Sequence, residues 1–139
     1  MLRQADRADR LFAPVLAGCT MQDDIRTVTF ANGLVASEQI VTIDDADRRF
    51  AYHVMGEMFE HHSASMQIVP VDDRSCRFIW ISDFLPGDRV ETVQPLVIAG
   101  ASALARNMEA GAANLVQCVP TVHASRPESP AESDRCHRA

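Results

Sequence analysis

Two residues in the first half of the chain, Glu38 and His62, are of types that carry out acid–base chemistry. On the inner face of a strand, apolar walls would raise the pKa of Glu38 and make it a general acid, a general base or a ligand anchor. A neutral His62 there could exchange a proton with a keto or phenol group. The alternatives are a Glu38 that is solvated or paired with an arginine, and a His62 that is bonded to the backbone or to Tyr52.

Other kinds of chemistry find little support in the sequence. Neighbouring strand residues point to opposite faces, so His61 and His62 cannot easily share an ion and we expect no metal site. The chain has no glycine-rich phosphate loop and no serine nucleophile elbow, and we expect no cofactor. Tyr52 and Trp80 are aromatic residues with a polar end, a kind found more often in cores than in catalysis.

Length and composition favour one globular domain. The chain has 139 residues, of which 47% are hydrophobic, and its net charge is −6 with scattered arginines, which disfavours nucleic-acid binding. No apolar run reaches the ~18–20 residues of a membrane span, and the N-terminus lacks the apolar core of a signal peptide. The four cysteines are widely spaced, so we expect reduced thiols and a cytoplasmic location.

Strand-like segments separated by turn signals occupy residues 25–85 and predict an antiparallel sheet. Asn32-Gly33 is a hairpin signal for a type I′ turn, which would pair residues 25–31 with residues 34–43. Alternation at period two predicts the inner faces of two later strands. The inward residues would be Phe50, Tyr52 and Val54 on one strand and His62, Ala64 and Met66 on the next. The segment 78–81 is apolar on both faces, so its inner face cannot be read.

A helix is predicted from Arg89 to Leu115, because a stripe of apolar residues that includes Val97 and Ala101 recurs at helical spacing. Its middle is slim, with Gly100, Ala101 and Ala103. A slim helix against a concave sheet leaves unfilled volume, so we expect a cavity. Residues 1–115 would form the domain, with a short helical segment at residues 2–16, and residues 116–139 a disordered tail.

Five segments, taken in order, give the chain a resemblance to a known superfamily. They are RTVTFANG (26–33), ExIxxIDD (38–45), RRxxYxV (48–54), ASMQIVP (64–70) and FIWISDFLP (78–86). The chain resembles the START-like, or SRPBCC, superfamily and its polyketide cyclase/dehydrase-like branch. The resemblance implies an α+β, helix-grip fold like that of the birch pollen allergen, with a curved antiparallel sheet around a long C-terminal helix.

The resemblance also implies a function and a set of site residues. Members bind lipids, hormones, polyketides or other apolar molecules, and some catalyse cyclisation or dehydration. Glu38 and Tyr52 match residues that face the pocket in relatives, and His62 stands where a tyrosine is common. Two hypotheses follow: a module that binds a hydrophobic or aromatic small molecule, and a cyclase- or dehydrase-type enzyme that uses Glu38 and His62 as acid and base. The predicted ligand-binding residues are Glu38, Phe50, Tyr52, Val54, His62, Ala64, Met66, Trp80, Val97 and Ala101.

The chain departs from this superfamily at its N-terminus. Relatives begin with a strand and a helix that have no counterpart before residue 2, so we expect a truncated gene product or a substitute strand. Residues 115–122 have strand composition, but Pro120 cannot donate a ladder hydrogen bond, and we therefore do not expect the substitution. An unfilled gap would leave unpaired strand edges and favour a homodimer.

Overall fold

The computed structural model describes residues 4–111 in full and residues 117–125 as backbone only. The described part of the chain starts with a 3₁₀ turn at Ala5–Arg7 and a short helix, followed by six strands, a long helix and one more strand. In chain order the elements are α1 (Ala8–Leu11), β1 (Leu16–Gln22), β2 (Ile25–Phe30), β3 (Val35–Asp44), β4 (Arg49–Val54), β5 (His61–Asp72), β6 (Ser75–Leu85), α2 (Val90–Gly111) and β7 (Gln117–Ser125).

The strands form one seven-stranded sheet in chain order, antiparallel from β1 to β6. The long helix α2 packs on this sheet, so the α+β, helix-grip prediction is confirmed. The helix begins at Val90 and ends at Gly111. The predicted continuation over residues 112–115 lies outside the described residues.

The hairpin between β2 and β3 differs from the prediction in its turn. Its loop is three residues long, because the Phe30 N–H donates to the Leu34 carbonyl and the Gly33 N–H donates to the Phe30 carbonyl. Gly33 has a φ of 90°, a value that glycine adopts readily, whereas Asn32 does not have a positive φ. Compared with the two-residue type I′ turn, this loop shifts the pairing of the strands by one residue, which decides what lies opposite Arg26.

The predicted inner faces of β4 and β5 are confirmed by burial. Phe50 and Tyr52 on β4 are buried, as are Ala64 and Met66 on β5. On β6 the buried residues alternate, which resolves the face that the sequence left open: Cys76, Phe78, Trp80, Ser82 and Phe84 point inward.

The last strand corrects the prediction of a disordered tail for its nine residues. Gln117–Ser125 form β7, which pairs in parallel with β6 and contacts α2. The substitution that we did not expect therefore occurs at this edge of the sheet. Pro120 is tolerated because β7 is an edge strand, where a missing N–H need not interrupt a ladder. Residues 126–139 lie outside the described residues.

The interior is unevenly filled along its length. The second half of α2 packs through Leu104 and Met108 into a core that includes Phe50 and Phe78. The first half of α2 faces a cavity instead. Among the residues that the structure describes, no helix combines the length and the apolar character that a membrane span requires.

Candidate ligand-binding site

A cavity of about 90 Å³ lies between the inner face of the sheet and the first half of α2. Its walls are mainly apolar, with Val28 from β2, Ala36 from β3, Met66 from β5 and Val97 from α2. Polar side chains line it as well: Arg26, Glu38, Tyr52, His62, Trp80 and Ser82. A few polar groups among apolar walls are the usual character of a small-molecule site.

One end of the cavity is bounded by side chains that are only half-buried. The strand register places the start of β1, the β2–β3 turn, the β4–β5 loop and the end of β6 at the same end of the sheet. The half-buried apolar residues there are Val15, Leu34, Met58, Phe59, Val93 and Leu96, and we call this end the mouth. A ligand would enter from the mouth, because the other end is closed by the packed core.

An ion pair between Arg26 and Glu38 lies within one wall of the cavity. The two residues are directly opposite on β2 and β3, and only 5% and 6% of their surfaces are exposed. The Arg26 Nε–H donates to Glu38 Oε2 at 2.7 Å, and the Arg26 Nη2 contacts the same oxygen. The guanidinium carbon lies 5.0 Å from the ring centroid of Phe50 and 5.4 Å from that of Tyr52, in cation–π range.

Burial is the main influence on the pKa of two side chains in this wall, the Glu38 carboxyl group and the Tyr52 hydroxyl. Desolvation raises the pKa of Glu38, while the charge of Arg26 and its hydrogen bond pull that pKa back. The pKa of the Tyr52 hydroxyl is raised well above its ordinary value, first by desolvation and then by the charge of Glu38. Tyr52 is therefore a neutral phenol at neutral pH.

His62 is held by hydrogen bonds at both ring nitrogens. The pairing of β4 with β5 ends at Tyr52 and Ala64, and beyond it the Val54 N–H donates to His62 Nδ1 at 3.0 Å. Because Nδ1 accepts, the neutral ring carries its proton on Nε2, which lies 3.2 Å from Ser82 Oγ and donates to it. Desolvation, with smaller contributions from His53 and His61, lowers the pKa of His62 to about 4.

Trp80 forms the wall between the cavity and the middle of α2. Its six-membered ring lies under Gly100, where a Cβ would come within 3.0 Å of Cζ3, and its centroid is 5.6 Å from that of Phe12. The Nε1–H is near enough to the Tyr52 hydroxyl to lower the pKa of that hydroxyl slightly, but the geometry falls short of a hydrogen bond. This buried N–H therefore has no acceptor in hydrogen-bond geometry among the described residues.

Seven of the ten predicted ligand-binding residues line the cavity: Glu38, Tyr52, Val54, His62, Met66, Trp80 and Val97. The structure places the other three elsewhere. Phe50 lies behind the guanidinium of Arg26, while Ala64 and Ala101 are buried in the packed core, so none of them is among the lining residues. The slim middle of the helix also acts differently from the prediction, because Trp80 occupies the space beside Gly100.

Two polar residues of the site were missed at the level of sequence. Arg26 could have been found from the β2–β3 pairing, because a three-residue loop puts it opposite Glu38 whereas a two-residue loop puts it opposite Gln39. Ser82 required the inner face of β6, which an apolar strand does not reveal. His61 is exposed while His62 is turned inward, as alternation predicts.

Comparison with known proteins agrees with this architecture. The family model described as "Polyketide cyclase / dehydrase and lipid transport" matches residues 4–119. No curated protein matches the sequence.

Three solved structures are similar in fold to this chain. A Thermobifida fusca protein is 23% identical with a TM-score of 0.58, and the match covers 77% of this chain and 81% of that one. The Bacillus cereus protein XoxI is 14% identical with a TM-score of 0.55, covering 72% and 84%. An uncharacterised Bacillus thuringiensis protein is 15% identical with a TM-score of 0.53, covering 74% and 87%.

Because these sequence identities are low, the three structures support the fold alone. The family model, in contrast, spans most of the chain, and membership of this family implies in general a cavity for hydrophobic ligands. The chain belongs to the polyketide cyclase/dehydrase and lipid transport family.

Proposed function

We propose that this protein binds a small hydrophobic or aromatic molecule in the cavity between the sheet and the first half of α2. The observation that carries the proposal is an apolar cavity whose charged residues, Arg26 and Glu38, neutralise each other within one wall. Such a wall offers no net charge to a ligand, so the gain on binding comes from burying apolar surface.

The size of the cavity limits the ligand. Its volume of about 90 Å³ is below the ~150 Å³ of an engineered apolar cavity that takes up benzene. A ligand of one ring would fill the interior and extend toward the mouth, where Leu34, Met58 and Phe59 are half-buried. A multi-ring molecule or a two-chain lipid would require these side chains to move.

The single tryptophan of the chain allows a direct binding test, because Trp80 lines the cavity. Ethylbenzene is titrated into the protein while Trp80 fluorescence is followed with excitation that the ligand does not absorb. We expect a saturable change. Replacing Ala36, which lines the cavity, by leucine should weaken binding about tenfold or more, because the added side chain occupies the ligand volume.

The matched control is Val35→Leu, at the neighbouring position on the outer face of β3, where the side chain is exposed. It should leave the affinity for ethylbenzene unchanged. A wild-type protein that gives no saturable signal, or an Ala36→Leu variant that binds as well as Val35→Leu, would rule out this cavity as the binding site.

One observation favours a second function, acid–base catalysis on a carbonyl compound: Glu38 and His62 line the same cavity. Glu38 would remove a proton next to the carbonyl and His62 would donate to the carbonyl oxygen through its Nε2–H. Arg26 and Ser82 occupy these groups, and a substrate would have to displace them. We therefore place binding first.

Enolisation of a methyl ketone tests the catalytic alternative. Exchange of the methyl protons of acetophenone in D₂O is followed by NMR with the wild type, Glu38→Gln and His62→Ala. Catalysed exchange that both variants abolish would support the enzyme. Exchange at the buffer rate in the wild type, or at the wild-type rate in both variants, would eliminate these two roles.

A further inference from the structure

Two of the four cysteines of the chain occupy directly paired positions in the sheet. In the parallel ladder of β6 and β7, the register sets Cys76 opposite Cys118, next to the pair formed by Ser75 and Gln117. In the sequence the two cysteines are separated by most of β6 and the whole of α2. Because no spacing motif relates them, their proximity is a property of the assembled sheet.

The geometry of paired strands is compatible with a disulfide bond between these two positions. Neighbouring strands lie ~4.7–4.9 Å apart, and the Cα atoms of disulfide-bonded cysteines are usually ~4.4–6.8 Å apart. Paired positions also share one face of a sheet, which at Cys76 is the inner face, where this residue is 8% exposed within the core. A bond between Cys76 and Cys118 therefore requires no change in the strand register.

The other two cysteines do not share this arrangement. Cys19 lies on β1, which is separated from β6 by the four strands β2 to β5, and its Sγ lies 3.5 Å from the Ala5 carbonyl oxygen. Cys136 lies outside the described residues, so it enters the experiment below as a competing partner.

We propose that Cys76 and Cys118 form a reversible disulfide bond that fastens β7 to β6 when the protein meets a small-molecule disulfide. The inference is independent of the proposed ligand, because Cys76 is not among the residues that line the cavity. In the described sheet β7 is an edge strand with one neighbouring strand. Edge elements open locally more easily than central ones, so the bond acts where the sheet is held least.

The oxidant is a low-molecular-weight disulfide such as oxidised glutathione. One protein thiolate attacks this disulfide, forms a mixed disulfide and releases one molecule of reduced glutathione. The opposite protein thiolate then attacks the protein sulfur of the mixed disulfide and expels the second glutathione. In total two protein thiols are oxidised, one glutathione disulfide is reduced to two thiols, and the two protons of the protein thiols pass to the glutathione thiolates.

The distance between the strands explains why the bond is reversible. The Cβ atoms of a relaxed disulfide are ~3.8 Å apart, which is less than the spacing of paired strands, so bond formation draws β6 and β7 together locally. A strained disulfide is reduced more easily than a relaxed one. We therefore expect an excess of reduced glutathione to restore both thiols.

Peptide mapping of the wild-type protein tests the pairing directly. The folded full chain is incubated with oxidised glutathione, remaining thiols are blocked with N-ethylmaleimide, and the protein is digested with trypsin for mass spectrometry. The four cysteines fall in separate tryptic peptides, residues 11–26, 75–77, 107–135 and 136–138. We expect peptide 75–77 joined to peptide 107–135. Either of these two joined to peptide 136–138, or both carrying glutathione alone, would overturn the proposal.

The same oxidation in concentrated urea separates the effect of the fold from chance pairing. The unfolded chain has no strand register, so we expect a mixture of pairings and mixed disulfides there. An equal yield of the Cys76–Cys118 bond with and without urea would show that the sheet does not bring the two thiols together, and this would contradict the inference.

Thermal unfolding of the two redox forms measures how firmly the bond holds the last strand. The oxidised protein should unfold about 5–10 °C above the reduced protein, because the bond closes a long loop in the unfolded chain. Cys118→Ala should abolish this difference. Cys19→Ala, on the other edge strand, is the matched control and should preserve it. A difference that survives in Cys118→Ala, or that is absent from the wild type, would refute the proposed fastening, and peptide mapping of the wild type decides the pairing if Cys118→Ala does not fold.

Discussion

Arg26 and Glu38 lie opposite each other on β2 and β3, and their ion pair is almost completely withdrawn from solvent. Phe50 and Tyr52 lie beneath the guanidinium and shield the pair from the core side. A buried pair of this kind is weak evidence for stability, because desolvation offsets much of the attraction. The pair does make the effect of replacing one residue on stability depend on whether the other is present, and this dependence is measurable.

The first prediction concerns that dependence. Arg26→Met should lower the free energy of unfolding by about 3–5 kcal/mol, because it leaves the Glu38 carboxyl group buried without its partner. The double variant Arg26→Met/Glu38→Leu should be more stable than Arg26→Met alone. Urea unfolding measures all three proteins, and Arg49→Met, at an exposed position, is the control. An Arg26→Met variant as stable as Arg49→Met would show that the pair is not buried as described.

The second prediction is a pH dependence that arises from His62. Burial lowers the pKa of His62 to about 4, so His62 takes up a proton near pH 6.5 in the unfolded chain but stays neutral down to about pH 4 in the folded protein. The contribution of neutral His62 to the free energy of unfolding is therefore complete above pH 6.5 and is lost as the pH falls to about 4. Protonation also ends the ability of Nδ1 to accept the Val54 N–H.

The size of this effect is about 1–2 kcal/mol, after allowance for solvent screening at a half-buried side chain. Unfolding free energies of wild type and His62→Gln are compared between pH 7 and pH 4. The difference between the two proteins should shrink toward the acid end. The control is Ser63→Ala, at an exposed position of β5 without an ionisable group, whose difference from wild type should be independent of pH. A constant difference for His62→Gln would refute the assignment.

The third prediction concerns the contact between Gly100 and Trp80. Gly100→Ala should gain ~1 kcal/mol of helix propensity and lose more than that through crowding, since its Cβ would be 3.0 Å from Cζ3 of a ring held by Phe12 and Phe78. We expect a net loss of about 1 kcal/mol in thermal or urea unfolding and a changed Trp80 emission spectrum.

Gly111→Ala is the matched control for this contact, because among the described residues no atom beyond its chain neighbours and its own helix backbone lies within 4 Å of the added Cβ. It should be neutral or slightly stabilising and leave the emission spectrum unchanged. If Gly100→Ala behaved in the same way, Trp80 would not pack against the helix as the structure has it.

The fourth prediction concerns the attachment of the N-terminal segment to α2. The Asn107 Nδ2 donates at 2.9 Å to the carbonyl oxygens of Leu11 and Ala13, on either side of Phe12, which packs on Trp80. Asn107→Ala should cost about 1–2 kcal/mol, because two carbonyl groups lose their donor. Hydrogen exchange in residues 8–16 should accelerate as well.

Gln94→Ala, at an exposed position of the same helix, is the control for Asn107→Ala. It should change neither stability nor exchange in residues 8–16 by a measurable amount. Equal effects of the two substitutions would mean that Asn107 does not hold the segment in place.

Alternation in the sequence was sufficient to predict the inner face of a strand that has one apolar and one polar face. This applies to β5, where His62, Ala64 and Met66 alternate with polar residues, and the inner face follows from burial alone. It was insufficient for β6, which is apolar on both faces. There the inward position of Ser82 follows from pairing with β5, which is a property of the assembled sheet.

Two other features depend on long-range structure for different reasons. Arg26 would be an unfavourable core residue by itself, and only the register of the β2–β3 loop brings Glu38 to it. The strand β7 pairs with the edge of β6 and lies beside α2 despite Pro120, which cannot donate a ladder hydrogen bond. Neither the β2–β3 register nor the position of β7 can be predicted from local propensity.

Crystals exposed to xenon under pressure would test directly whether the interior accepts an apolar guest, since xenon enters apolar cavities and is located by its scattering. We expect a xenon site within the cavity, in contact with Val28, Trp80 and Val97. Side chains packed solidly across this space, or xenon found only elsewhere in the molecule, would mean that no ligand binds between the sheet and α2.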